Sequence, residues 1–252
     1  MNKFIDNIIK EGVKKIGDNF EFDFNNNNQD DIMSLKFNFR KNPTKKVDET
    51  SYCNYYAYSL EKSNDSGDLM KAIKMLDSSI DNNSLNILLN KAIIGFMHNF
   101  NMSFDTIVTP ESSSIILSEL SKKLQNKIGS TNIFPSAFVK NATMEIRFDE
   151  EKVNELPEKN KNEFIAIYNK VINSGKSFKM KEINPARYRK FFKNFIIFNN
   201  DNDRKLYNAV EGKNVILIDD YKTSGTTLKA MLDNLIETGA KNVVIFVLIR
   251  VK

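Results

Sequence analysis

The chain has 252 residues, with 37 Lys and Arg against 32 Asp and Glu, one His and one Cys. A single cysteine excludes an intramolecular disulfide, and with one histidine it excludes a His/Cys zinc site. Any metal would then be a hard cation held by oxygens, Mg²⁺ first among them. No apolar run reaches the roughly 18 residues of a membrane helix, and the net charge of +5 is spread through interleaved Lys, Asp and Glu. That pattern is a solvated surface, with nucleic acid left open as a partner.

The opening "MNKFIDNIIKEGVKKIG" predicts an amphipathic helix. It lacks the continuous apolar core and cleavage site of a signal peptide, so a cytoplasmic setting is expected. Abundant Asn and Lys, including "NNNN" at 25–28, fit an AT-rich coding genome, bacterial or phage. "FEFDF" (20–24) and "LKFNF" (35–39) alternate apolar and polar residues and read as the strands of a hairpin. "RKNPTKKVDETS" (40–51) reads as an exposed connection, and helices are expected over 67–80 and 84–98.

From residue 104 the pattern changes to strand–helix–strand. "FDTIVTP" is a strand ending at Pro110, followed by a helix with Ser112 and Ser113 as N-cap candidates. "IFPSAFVKN" is a second strand, 151–173 a helix, and "SGKSFKMKEINPARYRK" a basic, mobile loop. "NFIIFNN" (194–200), "NVILIDD" (214–220) and "NVVIFVLIRV" (242–251) complete the strands, with a helix over 225–238. This alternation predicts an α/β fold with a parallel sheet covered on both faces. Residues 101–252 form the expected core, interrupted by a flexible segment at about 145–190. Residues 1–100 form an N-terminal α+β module.

In such sheets ligands sit beyond the carboxyl ends of the strands. "VILIDDYKTSGTT" (215–227) ends a buried strand in Asp219 and Asp220, then offers Thr223, Ser224, Gly225, Thr226 and Thr227 at a helix start. Backbone N–H groups and hydroxyls there suit a phosphate, and Gly225 permits close approach. Carboxylates would repel that phosphate, so Asp219 and Asp220 should face sugar hydroxyls or a bridging Mg²⁺.

The stretch resembles the phosphoribosyl-pyrophosphate (PRPP) signature of the type I phosphoribosyltransferases: four hydrophobic residues, two acidic ones, two variable ones, then a Thr/Ser-rich loop. The resemblance implies that 223–227 holds the 5′-phosphate and that Asp219 and Asp220 contact the ribose, with Mg²⁺ reaching them through PRPP. It implies that Pro110, Glu111, Ser112, Ser113 and Ser114 form the pyrophosphate loop, although many relatives carry a basic residue or Gly where this chain has Glu111. It places a closing lid in the insert, with Lys176, Arg187 and Arg189, and also Lys179 and Lys181, as its cations. Thr223 stands where the 6-oxopurine enzymes have Asp, which argues against a hypoxanthine or guanine acceptor.

The expected activity is phosphoribosyl transfer to a nitrogenous base with release of pyrophosphate, in nucleotide metabolism. The alternative is a PRPP- or nucleotide-sensing protein without turnover. The family resemblance suggests a homodimer. The 20–39 hairpin and "SYCNYYAYSL" (51–60) are candidate surfaces for the acceptor base. His98 reads as structural, and Cys53 has no base partner and no assigned chemistry.

Overall fold

The computed structural model describes residues 10–16, 19–23, 32–60, 66–75, 82–129, 131–174, 178, 180, 183–199, 203–222 and 225–251. The first five strands are β1 (Lys10–Ile16), β2 (Asn19–Asp23), β3 (Ile32–Lys41), β4 (Lys45–Val47) and β5 (Thr50–Leu60). Then come α1 (Ser66–Met75), α2 (Asn82–Asn99), β6 (Thr106–Pro110), α3 (Ile115–Ile128) and β7 (Asn132–Lys140). The insert contains β8 (Arg147–Phe148), α4 (Glu150–Asn154), α5 (Glu158–Ile172) and β9 (Phe192–Lys193). The chain ends in β10 (Ile196–Phe198), α6 (Asp203–Val210), β11 (Asn214–Lys222), α7 (Thr226–Glu237) and β12 (Asn242–Val251).

Ten of these strands form one sheet in the order β10-β7-β6-β11-β12-β5-β3-β1-β2, with β4 also on β5. The centre, β7-β6-β11-β12-β5, is parallel; the apolar runs predict β6, β7, β11 and β12 but not β5, and the predicted strand at 194–200, β10, is antiparallel instead. The flanks are antiparallel, including the short edge strand β10. Val215 and Leu217 face a layer that includes Phe164, Leu206 and Met231 of α5, α6 and α7. Ile216 and Ile218 face the other layer, where Ile73, Leu88 and Leu120 of α1, α2 and α3 pack. Side chains of β11 therefore alternate between two buried layers. Among the described residues no helix is long and apolar enough to cross a membrane.

Several sequence expectations change. Residues 10–16 are a strand, not a helix, because β1 lies between β2 and β3 and pairs with both. Val13 and Ile16 are spaced as in a helix, but long-range pairing overrides that local signal. β2 and β3 consequently do not form a hairpin with each other. Residues 1–9 lie outside the described residues. Within the predicted connection 40–51, Lys45–Val47 is a short exposed strand on β5. The tyrosine run is not a surface for a base. β5 lies between β12 and β3, and Tyr55, Tyr56 and Tyr58 are at most 2% exposed. The helix expected over 151–173 breaks into α4 and α5 at Pro157, which has no N–H to continue the ladder.

The described part of the insert is packed rather than loose. The Phe164 ring lies 5.4 Å from that of Phe148 and 5.5 Å from those of Phe191 and Phe192. Asp149, 6% exposed, caps α4 and receives Lys152 Nζ at 2.6 Å and Lys193 Nζ at 3.1 Å. The Lys152 bond, followed by Lys193, holds its carboxyl down to about 2. Arg187 donates to Glu163 Oε2 at 2.9 Å, where the Tyr188 hydroxyl also donates at 2.6 Å. Arg189 Nε donates to the Ile183 carbonyl at 3.1 Å. These contacts hold both arginines against the insert itself. Lys176, Lys179 and Lys181 lie outside the described residues.

Candidate functional site

At the end of β11 the alternation of side chains separates the two carboxylates. Asp219 pairs in register with Val247, a residue of the α7-side layer, whereas Asp220 follows Ile218 towards α1. Asp220 is 3% exposed; its Oδ1 accepts the Tyr221 N–H at 2.7 Å, and its Oδ2 meets Lys74 Nζ of α1 at 3.1 Å. Lys74 Nζ also sits 4.2 Å from the centre of the Tyr221 ring. Asp219 is partly exposed, and its Oδ1 accepts the Asp220 N–H at 3.0 Å. The lysine therefore pairs with one acid and leaves the other on the α7 side of the sheet.

Burial first, and the charge of Asp220 second, push the Asp219 carboxyl up to about 8. The unfolded chain releases this proton near the ordinary carboxylate value, so the folded protein holds more protons between that value and about 8. Stability therefore falls as pH rises through this window. Asp219→Asn should remove the slope, leaving the variant melting about 4 °C or more above the parent at pH 8.5 but close to it at pH 5. Parallel melting curves for the two proteins would contradict this assignment.

Thr223 and Ser224 lie outside the described residues. Gly225 caps α7 at φ +79°, the left-handed conformation for which glycine is suited. A Cβ there would also meet the flexible end of the Lys222 side chain, which can move aside, so the backbone conformation is what selects glycine. Thr226 and Thr227 form the first turn of α7 and remain partly exposed at its positive end. Lys222 Nζ donates to the Tyr56 hydroxyl at 2.8 Å.

The serine loop follows β6, the neighbour of β11, so the two loops share one edge of the sheet. Pro110 ends β6, and the Glu111 N–H donates to the Phe138 carbonyl at 2.7 Å. Glu111, Ser112 and Ser113 are exposed. The N-cap of α3 is Ser114 rather than the expected Ser112 or Ser113, and its N–H donates to Ser112 Oγ at 3.1 Å. Ser114 is 5% exposed, and among the described residues its Oγ has no hydrogen-bond partner. It borders a cavity of about 330 Å³ lined also by Thr109, Ser112, Ser136 and Lys122. Lys122 was missed in the sequence. It lies two helical turns beyond Ser114, so the i, i+4, i+8 spacing from that serine was the available signal.

Residues 78–252 match the phosphoribosyl transferase domain family. The chain belongs to that family. Its mostly parallel sheet, the strand–loop–helix at 214–237 and the serine loop after β6 are the fold of a phosphoribosyltransferase domain. The family's chemistry is of the glycosyltransferase type. No match was found among curated proteins. Among solved structures, the chain is similar to "the allosteric regulatory enzyme of purine biosynthesis", with 16% identity and a TM-score of 0.32. That similarity covers 64% of this chain and 24% of that one, so the chain spans about a quarter of that protein's length.

Among the described residues no group of three or more His, Cys, Asp or Glu is arranged to hold a metal. Mg²⁺ can still fit as a guest of a phosphorylated ligand, needing one or two carboxylates. Asp219 suits that role, whereas Asp220 already faces Lys74.

Proposed function

We propose that the chain binds PRPP with Mg²⁺ and transfers its phosphoribosyl group to a nitrogenous base, releasing pyrophosphate. The observation that carries this reading is the partly exposed Asp219 near the end of β11, on the strand that leads into a glycine-capped helix start. Gly225, Thr226 and Thr227, with Thr223 and Ser224, would hold the 5′-phosphate. Asp219 would accept hydrogen bonds from the ribose hydroxyls, and Ser112 and Ser114 would hold the pyrophosphate, with Lys122 supplying the cation that the loop itself lacks.

In transfer, the base nitrogen bonds to C1′ as the C1′–O bond breaks. Pyrophosphate leaves with the electron pair, and the base nitrogen gives up its proton. Mg²⁺, when bound with PRPP, supplies charge neutralisation at the leaving group. The protein's part is to position the reacting groups and stabilise developing charge.

The test is thermal stabilisation by PRPP–Mg²⁺, followed by pyrophosphate release against a panel of bases. Stabilisation of about 3 kcal/mol at a hundredfold excess over Kd, with pyrophosphate release, is expected. The second reading, binding without transfer, rests on Glu111 standing exposed in the serine loop. Stabilisation with no release against any base would favour it, and no stabilisation would overturn both.

A further inference from the structure

Lys222 ends β11, and its direct register partner is Arg250, the penultimate residue of β12. Two cations on adjacent strands repel each other, and here a single phenol ring holds both. Lys222 Nζ and Arg250 Cζ each lie 5.2 Å from the centre of the Tyr56 ring, beneath them on β5. Tyr56 is 2% exposed, so the platform is rigid and dry on one side. Its hydroxyl accepts the Lys222 bond at 2.8 Å, which leaves the hydroxyl's own proton to be donated. Among the described residues no carboxylate pairs with Lys222 or Arg250, and none accepts the Tyr56 proton. The result is a pair of cations with, among the described residues, no anion of its own.

It lies against Gly225, whose missing Cβ leaves room for the Lys222 side chain, with Nζ 3.1 Å from the position a Cβ would take. The cluster thus stands beside Gly225, the N-cap of α7, on the sheet face that α7 covers.

We infer that Lys222 and Arg250, carried by Tyr56, form a cationic subsite for the phosphate monoester of the sugar ligand, supplementing the hydroxyls and N–H groups of 223–227. This rests on the proposed PRPP reading of the loop. It assigns binding to the second of the two positions between the acidic pair and the Thr/Ser loop, which the sequence pattern leaves variable. Lysine and arginine are suited to the task, since charge-assisted bonds to phosphate are short and strong.

The test uses D-ribose 5-phosphate, D-ribose and PRPP–Mg²⁺ as probes, with calorimetric Kd and melting curves on the full chain. The Lys222→Met/Arg250→Met double variant is expected to bind ribose 5-phosphate at least about 30-fold more weakly than the parent, and Lys222→Arg within about 3-fold of it. Only the phosphorylated probe should show the loss, and it should shrink as salt is raised. A folded double variant that binds ribose 5-phosphate within about 3-fold of the parent overturns the inference. So does a parent that binds no ribose 5-phosphate. If that parent-like variant also binds PRPP–Mg²⁺ normally, the PRPP reading survives while the subsite falls. If the parent takes ribose 5-phosphate but not PRPP–Mg²⁺, and the variant loses the former, the subsite stands and the PRPP reading falls.

Discussion

Asp219→Asn is expected to weaken PRPP–Mg²⁺ binding by at least about 100-fold, roughly 2.7 kcal/mol, while the fold survives. Asp219 is partly exposed, and among the described residues its one hydrogen bond is the short-range one from the Asp220 N–H, which an amide oxygen can still accept. Asn therefore keeps the local backbone but cannot release the proton that a ligand-borne Mg²⁺ would displace from the carboxyl, and it offers one acceptor oxygen fewer to the ribose hydroxyls. Asp220→Asn should behave differently, costing stability first, because that side chain is buried against Lys74. Calorimetry on both variants, with circular dichroism to verify folding, separates the two roles. A folded Asp219→Asn protein, or a folded double Asn variant, that binds PRPP–Mg²⁺ as the parent does would rule out the site.

Lys74→Met should destabilise the protein by about 2–4 kcal/mol, the cost of leaving a buried carboxylate without its cation. The lower end is favoured because the Lys74 side chain is 29% exposed and solvent screens part of the interaction. Urea denaturation measures it as a lower midpoint at unchanged m-value. Adding Asp220→Leu to Lys74→Met should restore part of the loss, since the uncompensated charge is then gone. A single variant within about 0.5 kcal/mol of the parent would mean that Asp220 finds its compensation elsewhere.

The parts legible in the sequence were those whose signal is local. β6, β11 and β12 are apolar runs long enough for a strand buried on both faces, and Gly225 marks the start of α7 by its special backbone. What escaped depended on distant partners. Nothing near Lys74 announces Asp220, and nothing near Tyr56 announces Lys222. "KEGVKKI" is a strand only because β2 and β3 flank it. The tyrosines of β5 were amphipathic enough to suggest an exposed aromatic surface. Their hydroxyls instead find carbonyls of α2 inside the core, Tyr58 to Leu88 at 2.8 Å and Tyr55 to Ala92 at 3.3 Å. The candidate site followed the same division. The acid pair and the loop could be read directly, but the different roles of Asp219 and Asp220 required knowing what lies on each face of the sheet.

The place of β5 constrains how the protein is made. Its parallel partner is β12, and the Thr50 hydroxyl that ties the start of β5 to the Ala240 carbonyl bridges a sequence separation of 190 residues. During synthesis β5 leaves the ribosome early but must wait for β12 before that edge can be closed. β3 can cover its other edge through local contacts meanwhile. The loop-closure entropy of such a span is met late, so the central sheet should assemble only once residues 50–251 have all been made. Until then β5 presents an apolar, tyrosine-rich strand with one open edge, which is the kind of surface that chaperones retain and that aggregation exploits.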